Sequence, residues 1–436
     1  MKTKKLFLLF SMLLLISALF LGGCSDGKTK ARKIILTDAD GNAFYNSEED
    51  TGQTENTAFI DIVLEELEAV IPDATGTINV KTSLDVTLQQ NFAEVYKESR
   101  LKNVPFAAVI TSTDGKILCA FSGGGEDENY AITHTQPYSA FKPLSVYSPA
   151  IEKGTINWAS TFTDSPVKQT MNEYGEYEDW PVNGNGKYTN AETSIRDCIK
   201  LSLNTTAIRC LSETGVSYCM DFLSEKFGID VSAERQQAAL NGDEEVLHSI
   251  GLGYLQGGVS PVDMAGYYQI FATGGNYIKP YSVLEIGDSE GNIIYTAAPS
   301  AKALISESTA FIMNELLRSP LEIGGTAADA HIEGIRLGGK TGTGTDYAGN
   351  WFVCFSPEYC ISVWHGKYIE NYCTEIFSEL SQHISFDSEK AYPECKTAEM
   401  KVYCKESGGG FTMNCPTMSN GYFATDAVPD RCTLHS

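Results

Sequence analysis

The amino-acid sequence predicts an α+β fold: a five-stranded antiparallel sheet flanked by helices, with an all-helical subdomain inserted into it. Two hairpin patterns and the helical spacing between them carry that prediction. Phe106-Ala107-Ala108-Val109-Ile110 and Ile117-Leu118-Cys119-Ala120-Phe121 are apolar runs on either side of Thr113-Asp114-Gly115, and Asp-Gly between such runs marks a tight turn. Trp351-Phe352-Val353-Cys354-Phe355 and Tyr359-Cys360-Ile361-Ser362-Val363-Trp364 flank Ser356-Pro357-Glu358 in the same way. From residue 139 to about 271 the pattern turns helical, as in Ile195, Cys198, Ile199 and Ser202. With the strand that carries Lys340, two strands precede the helical middle and three follow it.

The chain opens with Lys2, Lys4 and Lys5, continues through a nearly unbroken apolar run from Leu6 to Leu21, and closes on Leu21-Gly22-Gly23-Cys24. A basic start, a short apolar stretch and small closing residues make an export signal over residues 1–23. The run is shorter than the ~20 residues a spanning helix needs. Residues 24–33 are polar and read as a tether. Residues 34–100 form a small lead-in unit, with helical spacing from Ala58 to Val70 and strand alternation over Ile78-Asn79-Val80-Lys81-Thr82. Residues 101–372 hold the sheet and its helical insertion. From 373 to 436 the composition moves toward Cys, Ser, Thr, Gly and Pro, which predicts a small appendage stapled by disulfides.

The formal charge is −24, and loss of the three signal lysines makes the mature chain more acidic still. That disfavours nucleic-acid partners, which require a basic face, and gives no electrostatic pull toward an anionic membrane. Of 12 cysteines, setting Cys24 aside leaves an odd number, so at least one thiol is expected to stay unpaired. The spacing of Cys395, Cys404, Cys415, Cys432 and His435 looks too loose for a zinc template. Disulfides are expected there, with no metal and no cofactor.

Chemistry enters with Ser139-Ala140-Phe141-Lys142. Taken alone, Ser-x-x-Lys is a weak signal, because the chain also holds Ser25 with Lys28, Ser99 with Lys102 and Ser165 with Lys168. Context selects Ser139, which follows a predicted hairpin and leads into the apolar segment from Phe141 to Ile151. If Ser139 opens that helix, Lys142 lies one turn on along the same face, ~5–6 Å away between Cβ atoms. A desolvated lysine beside a second cation can take the proton of a serine hydroxyl, and Lys340 is the candidate second cation. Ser202-Leu203-Asn204 offers a hydroxyl and an amide to relay a proton and hold a carbonyl. Lys340-Thr341-Gly342-Thr343 offers a cation and hydroxyls for a carboxylate, with Gly339 and Gly342 leaving room for a substrate backbone. The backbone amides of Ser139 and Thr343 are the expected oxyanion donors.

These three elements, in this order, resemble the motifs of penicillin-binding proteins and serine β-lactamases. The similarity extends to Asp114-Gly115-Lys116-Ile117-Leu118, Gln136-Pro137-Tyr138, Trp180-Pro181-Val182-Asn183, Ser260-Pro261-Val262-Asp263-Met264-Ala265 and Lys279-Pro280-Tyr281. It is strongest to the transpeptidase region of class A penicillin-binding proteins and covers the chain from about residue 55. Tyr138 stands where that family usually has glycine. No glycosyltransferase motif precedes residue 55, so a separate glycosyltransferase is the implied partner. The Leu-Gly-Gly-Cys ending resembles a bacterial lipobox, which implies a lipid on Cys24 and a lipid-anchored, extracytoplasmic protein.

By that resemblance the fold is the serine β-lactamase/DD-peptidase fold and the reaction is D,D-transpeptidation of peptidoglycan stem peptides. Ser139, Lys142, Ser202, Asn204 and Lys340 would be catalytic, Thr341, Gly342, Thr343, Trp180 and Asn183 would bind substrate, and β-lactam antibiotics would acylate Ser139. A β-lactamase, a D,D-carboxypeptidase and a non-catalytic β-lactam or wall-peptide sensor remain the alternatives. The first would need a deacylating carboxylate, for which Glu173, Glu176, Glu178 and Asp179 are placed in sequence.

Overall fold

The computed structural model describes residues 32–49, 54–125, 128–172, 174–344, 349–367 and 370–435. The export signal, Cys24 and Glu173 lie outside the described residues. Among the described residues, no helix is long and apolar enough to cross a membrane.

The central sheet runs Gly338–Thr343, Asn350–Phe355, Tyr359–His365, Phe106–Ser112, Ile117–Gly123 from edge to edge, antiparallel throughout. It is the five-stranded sheet expected, two strands from before the helical region and three from after it. Its apolar runs are continuous rather than alternating because both faces are covered. Trp351, Val353 and Phe355 point into one core and Phe352 and Cys354 into the other, following the period of two. Helix Pro261–Ala272 covers the first face, with Tyr268 and Phe271 against Phe355 at ring separations of 6.4 and 5.8 Å. Helix Cys373–Ser381 covers the second, with Phe377 edge-on to Phe352 at 5.0 Å.

The central helix starts where its sequence says. Ser260 accepts from the Asp263 amide at 3.1 Å, Asp263 returns the bond to the Ser260 amide at 3.0 Å, and Pro261 occupies the first turn. The inserted helical region comprises Ile195–Lys200, Asn204–Thr214, Val216–Phe227, Ser232–Asn241 and Asp243–Leu252.

Three expectations need correction. The segment after Ser139 is not one regular helix. A 3₁₀ turn, Tyr138–Phe141, passes into a π-helical turn, Pro143–Tyr147, and then into the short α-helix Ser148–Glu152. Prolines at 143 and 149 each remove a backbone donor, which weakens a uniform helical ladder.

Second, the lead-in unit over residues 34–100 is not closed on itself, because its strand Thr77–Thr82 also pairs outside it. That strand sits at the centre of another five-stranded sheet, parallel to Lys33–Thr37 on one side and antiparallel to Val283–Gly287 on the other. That second neighbour comes from far along the chain.

Third, the expected disulfides are absent: all eleven cysteines among the described residues are free thiols. Seven of them, from Cys119 to Cys373, are fully buried on core helices and strands, where thiols pack as small apolar groups. The C-terminal stretch opens with the helix Cys373–Ser381, already part of the main core, and ends in the hairpin Ala398–Cys404 with Met418–Ala424. In that hairpin unit Cys404, Cys415, Cys432 and His435 come together with ligand atoms within 4.8 Å of one another, despite their wide sequence spacing.

Candidate active site

Ser139 and Lys142 share a single 3₁₀ turn, closed by the Lys142 amide donating to the Ser139 carbonyl. Side chains three apart eclipse in a 3₁₀ turn, so the hydroxyl and the lysine stem leave the same side of it. The turn is pinned from three directions. The Trp351 indole donates to the Gln136 carbonyl at 2.8 Å, the Leu255 amide to Gln136 Oε1 at 2.8 Å, and the Tyr268 hydroxyl to the Ala140 carbonyl at 2.5 Å. Tyr138 takes φ = +49°, a conformation that suits the glycine usual there and costs a tyrosine about 1 kcal/mol. Its ring is buried edge-on to Tyr254 at 5.2 Å.

Ser202 lies in the connection between two helices, also left-handed at φ = +56°. Strain of that kind in a non-glycine residue concentrates at functional sites. Both lysines reach this one residue. Lys142 Nζ donates to Asn204 Oδ1 at 2.6 Å and to the Ser202 carbonyl at 3.3 Å, while Lys340 Nζ donates to Ser202 Oγ at 2.7 Å and to the Thr341 carbonyl at 3.1 Å. Both side chains are 0 % exposed, and neither has an acidic partner among the described residues. Burial pulls the Lys142 amine down to about 7. Burial, aided by the charge of Lys142, holds the Lys340 amine well below the usual lysine range.

Lys340 sits on an edge strand that pairs only with Asn350–Phe355, so its other edge faces the Ser139 turn. Gly342 makes that closeness possible, since a Cβ there would stand 2.6 Å from the Pro137 carbonyl oxygen and 3.1 Å from the Ala140 amide nitrogen. Thr341 Oγ1 donates to Thr326 Oγ1 at 3.0 Å. Asn371 Nδ2 donates to the Gly342 carbonyl at 3.1 Å and to Thr343 Oγ1 at 2.9 Å. Thr343 is exposed.

Asn183 is buried behind Asn204 and holds it: Asn183 Oδ1 accepts from the Asn204 amide at 2.8 Å and Nδ2 donates to Asp164 Oδ1 at 2.7 Å. Thr205 Oγ1 also donates to Asp164 Oδ1, at 2.6 Å, and the Thr189 amide to Oδ2 at 2.8 Å. Asn204 Nδ2 donates to the Val182 carbonyl at 2.6 Å. Trp180 stacks on His248 at 4.0 Å with the Lys168 ammonium 5.2 Å from its ring centre. Neither of those contacts is with the two buried lysines. Asp164, Thr326 and Asn371 were not singled out from the sequence, and no local pattern marks them. They reach the site across loops of unrelated sequence.

Of the Ser-x-x-Lys lysines, Lys102 is exposed, Lys168 is half-buried on a surface hairpin, Lys28 lies outside the described residues, and only Lys142 is buried. The family "Penicillin binding protein transpeptidase domain" matches residues 101–363, more than half of the chain. The chain belongs to the penicillin-binding protein transpeptidase family. Among curated relatives, penicillin-binding protein 1F of Bacillus subtilis is 28 % identical over 376 residues, covering 81 % of the chain and 48 % of the relative. Penicillin-binding protein 1A of Clostridium botulinum is 26 % identical over 310 residues, covering 67 % of the chain and 36 % of the relative. The chain thus spans half or less of these relatives.

Among solved structures, the D,D-transpeptidase domain of a peptidoglycan glycosyltransferase from Eggerthella lenta superimposes with a TM-score of 0.63 at 16 % identity, covering 80 % of this chain and 97 % of that one. Penicillin-binding protein A of M. tuberculosis, in an imipenem acyl-enzyme complex, gives 0.64 at 16 % identity, covering 81 % and 98 %. These likenesses establish the transpeptidase fold.

Proposed function

We propose that the chain is a serine-type peptidoglycan D,D-transpeptidase, inhibited by β-lactams, whose nucleophile is Ser139. One observation carries this reading: two fully buried lysines from distant stretches of chain meet at Ser202, and one of them follows Ser139 by a single turn. Burying two lysines side by side without an acidic partner is costly, and a structural role would not require it.

In this reading Lys142, poised near neutrality, takes the proton as Ser139 Oγ attacks the penultimate D-Ala carbonyl of a stem peptide. The amides of Ser139 and Thr343 hold the developing oxyanion, each worth roughly 10²–10³ in rate. Ser202, hydrogen-bonded to Lys340, passes a proton to the departing D-Ala nitrogen. An amine from a neighbouring strand then displaces Ser139 and closes the cross-link. Lys340, Thr341 and Thr343 take the substrate carboxylate, whose charge raises Lys340 back toward its protonated form. Gly342 gives the peptide backbone room along the edge strand, Asn204 holds a carbonyl, and Trp180 and Asn183 line and support the far wall.

The β-lactamase alternative is weakened by where its carboxylates lie. Glu176, Glu178 and Asp179 are exposed on a hairpin, with Glu178 bound to Asn172 and Asp179 to Gln169. Asp164 lies behind Asn183 and Thr205, and three donors already occupy its oxygens. A lipid on Cys24 would hold the enzyme at the extracytoplasmic membrane face, beside a separate glycosyltransferase that supplies strands.

The test is incubation with uncross-linked glycan strands bearing pentapeptide stems, read by mass spectrometry of the digested products. The transpeptidase reading expects cross-linked dimers and one free D-Ala per link, both lost in Ser139→Ala. Tetrapeptide without dimers would assign a carboxypeptidase, and no D-Ala release from a protein that still binds penicillin would assign a sensor.

A further inference from the structure

Independently of that reaction, we infer that the C-terminal hairpin unit holds a structural zinc ion, bound by Cys404, Cys415, Cys432 and His435. Cys404 ends the strand Ala398–Cys404, and its amide bonds to the Gly409 carbonyl at 2.8 Å. Cys432 arrives beside the same loop, its amide bonded to the Gly410 carbonyl at 2.7 Å, and Cys415 closes a turn onto Thr412 at 3.0 Å. His435 Nδ1 stands 3.4 Å from the sulfurs of both Cys404 and Cys432. All four ligand atoms lie within 4.8 Å of one another.

A tetrahedron with Zn–S of about 2.3 Å and Zn–N of about 2.0–2.1 Å has sulfur to nitrogen edges of roughly 3.5 Å. The 3.4 Å separations match such edges. A disulfide needs sulfurs about 2.05 Å apart, and these thiols are unpaired. Three soft sulfurs and one imidazole form a closed donor set of the kind zinc takes in structural sites.

The surroundings suit an ion as well. His435 Nε2 stands 3.1 Å from Glu406 Oε2, so a carboxylate fixes the ring with Nδ1 toward the sulfurs. The Thr412 amide points at the Cys415 sulfur at 3.3 Å, and the Ser407 hydroxyl at the Cys432 sulfur at 3.1 Å, donors that suit thiolates. The unit also lacks an adequate core of its own. Its apolar cluster consists of Tyr403 and Phe423 packed with Ala159 and Trp158 of the main body. A piece of chain this small requires a staple, and no disulfide supplies one among the described residues. On binding, the three thiols release their protons and Zn²⁺ stays divalent, so no oxidant is involved.

The experiment uses the full-length protein, purified without chelator and with penicillin labelling of the intact site as a folding control. Elemental analysis is expected to find one zinc per chain. Iodoacetamide mapping should find Cys404, Cys415 and Cys432 shielded until a strong chelator strips the metal, and alkylated afterwards. Glu406→Gln, which keeps all four ligands, should weaken zinc binding about 10- to 100-fold in a competition titration. Protein that carries no zinc, loses it to a weak chelator, or shows these cysteines joined as disulfides would overturn the assignment. An unchanged affinity in Glu406→Gln would overturn the placement of His435.

Discussion

Burial of Lys142 without an acidic partner sets the pH behaviour expected of the site. Its amine is held near 7 in the folded protein and near 10.5 in the unfolded chain. The unfolded chain therefore binds the extra proton between those values, and stability rises with pH across that window. The penalty is complete below about pH 7, on the order of 4–5 kcal/mol, and vanishes above about pH 10.5. Lys142→Met should accordingly raise the melting temperature at pH 7, by an amount that shrinks as the pH approaches 10, in paired calorimetric scans. The same change should slow acylation by penicillin about 10²–10⁴-fold. In the unaltered protein, acylation should fall off as the pH drops through 7, because a protonated Lys142 cannot accept from Ser139. A wild-type acylation rate that is flat from pH 5 to 9 would contradict this.

Asn183 makes a second argument at the same scale. Removing its amide leaves the Asn204 backbone donor without its acceptor and takes from buried Asp164 Oδ1 one of its two donors, Thr205 remaining. Asn183→Ala should cost about 1–3 kcal/mol in a urea titration. It should also slow acylation, because Asn204, the partner of Lys142, loses its support.

The edge strand and the Ser139 turn meet with no side chain between them, and Gly342 is the reason. The groups that an added Cβ would strike are the Pro137 carbonyl oxygen and the amide nitrogen and Cβ of Ala140, none of which can rotate away. Gly342→Ala should push strand and turn apart, costing about 1–3 kcal/mol. Misplacing reacting groups by about 1 Å can cost ~10²-fold in rate, so penicillin labelling followed in time should slow by roughly that factor while final occupancy is still reached.

At this scale the limits of sequence reading are physical. The two hairpins of the central sheet were legible because their residues are neighbours in the chain and both faces are apolar. Ser139 with Lys142, and Lys340 with Gly342, were legible because each pairing acts over three residues or fewer. The 3₁₀ and π turns were not, since the apolar spacing from Phe141 to Ile151 suits a helix and the tertiary ties to Trp351, Leu255 and Tyr268 decide the local geometry. The lead-in sheet was read only in part, because Thr77–Thr82 pairs with a strand some two hundred residues away. The clustering of Cys404, Cys415, Cys432 and His435 was not legible for the same reason: spacing along the chain says little once a hairpin and a returning C-terminus fold onto each other.

Across the whole molecule, the sheet and the helical insertion act as two walls. One wall supplies Lys340 from an edge strand and the other supplies Ser202 from a helix connection and Asn204 from the start of the next helix, while the Ser139 turn lies between them, tied to both. The chain carries a formal charge of −24, and the focus of the cleft is the pair of buried lysines, whose amines burial holds below the usual lysine range. The central claim is that this focus serves one nucleophile. Mass spectrometry of the intact protein after brief treatment with benzylpenicillin, followed by peptide mapping, tests it most directly. The account predicts a single long-lived adduct per chain, on Ser139, absent from Ser139→Ala. An adduct on any other residue, or none at all from a protein that remains folded, would contradict it.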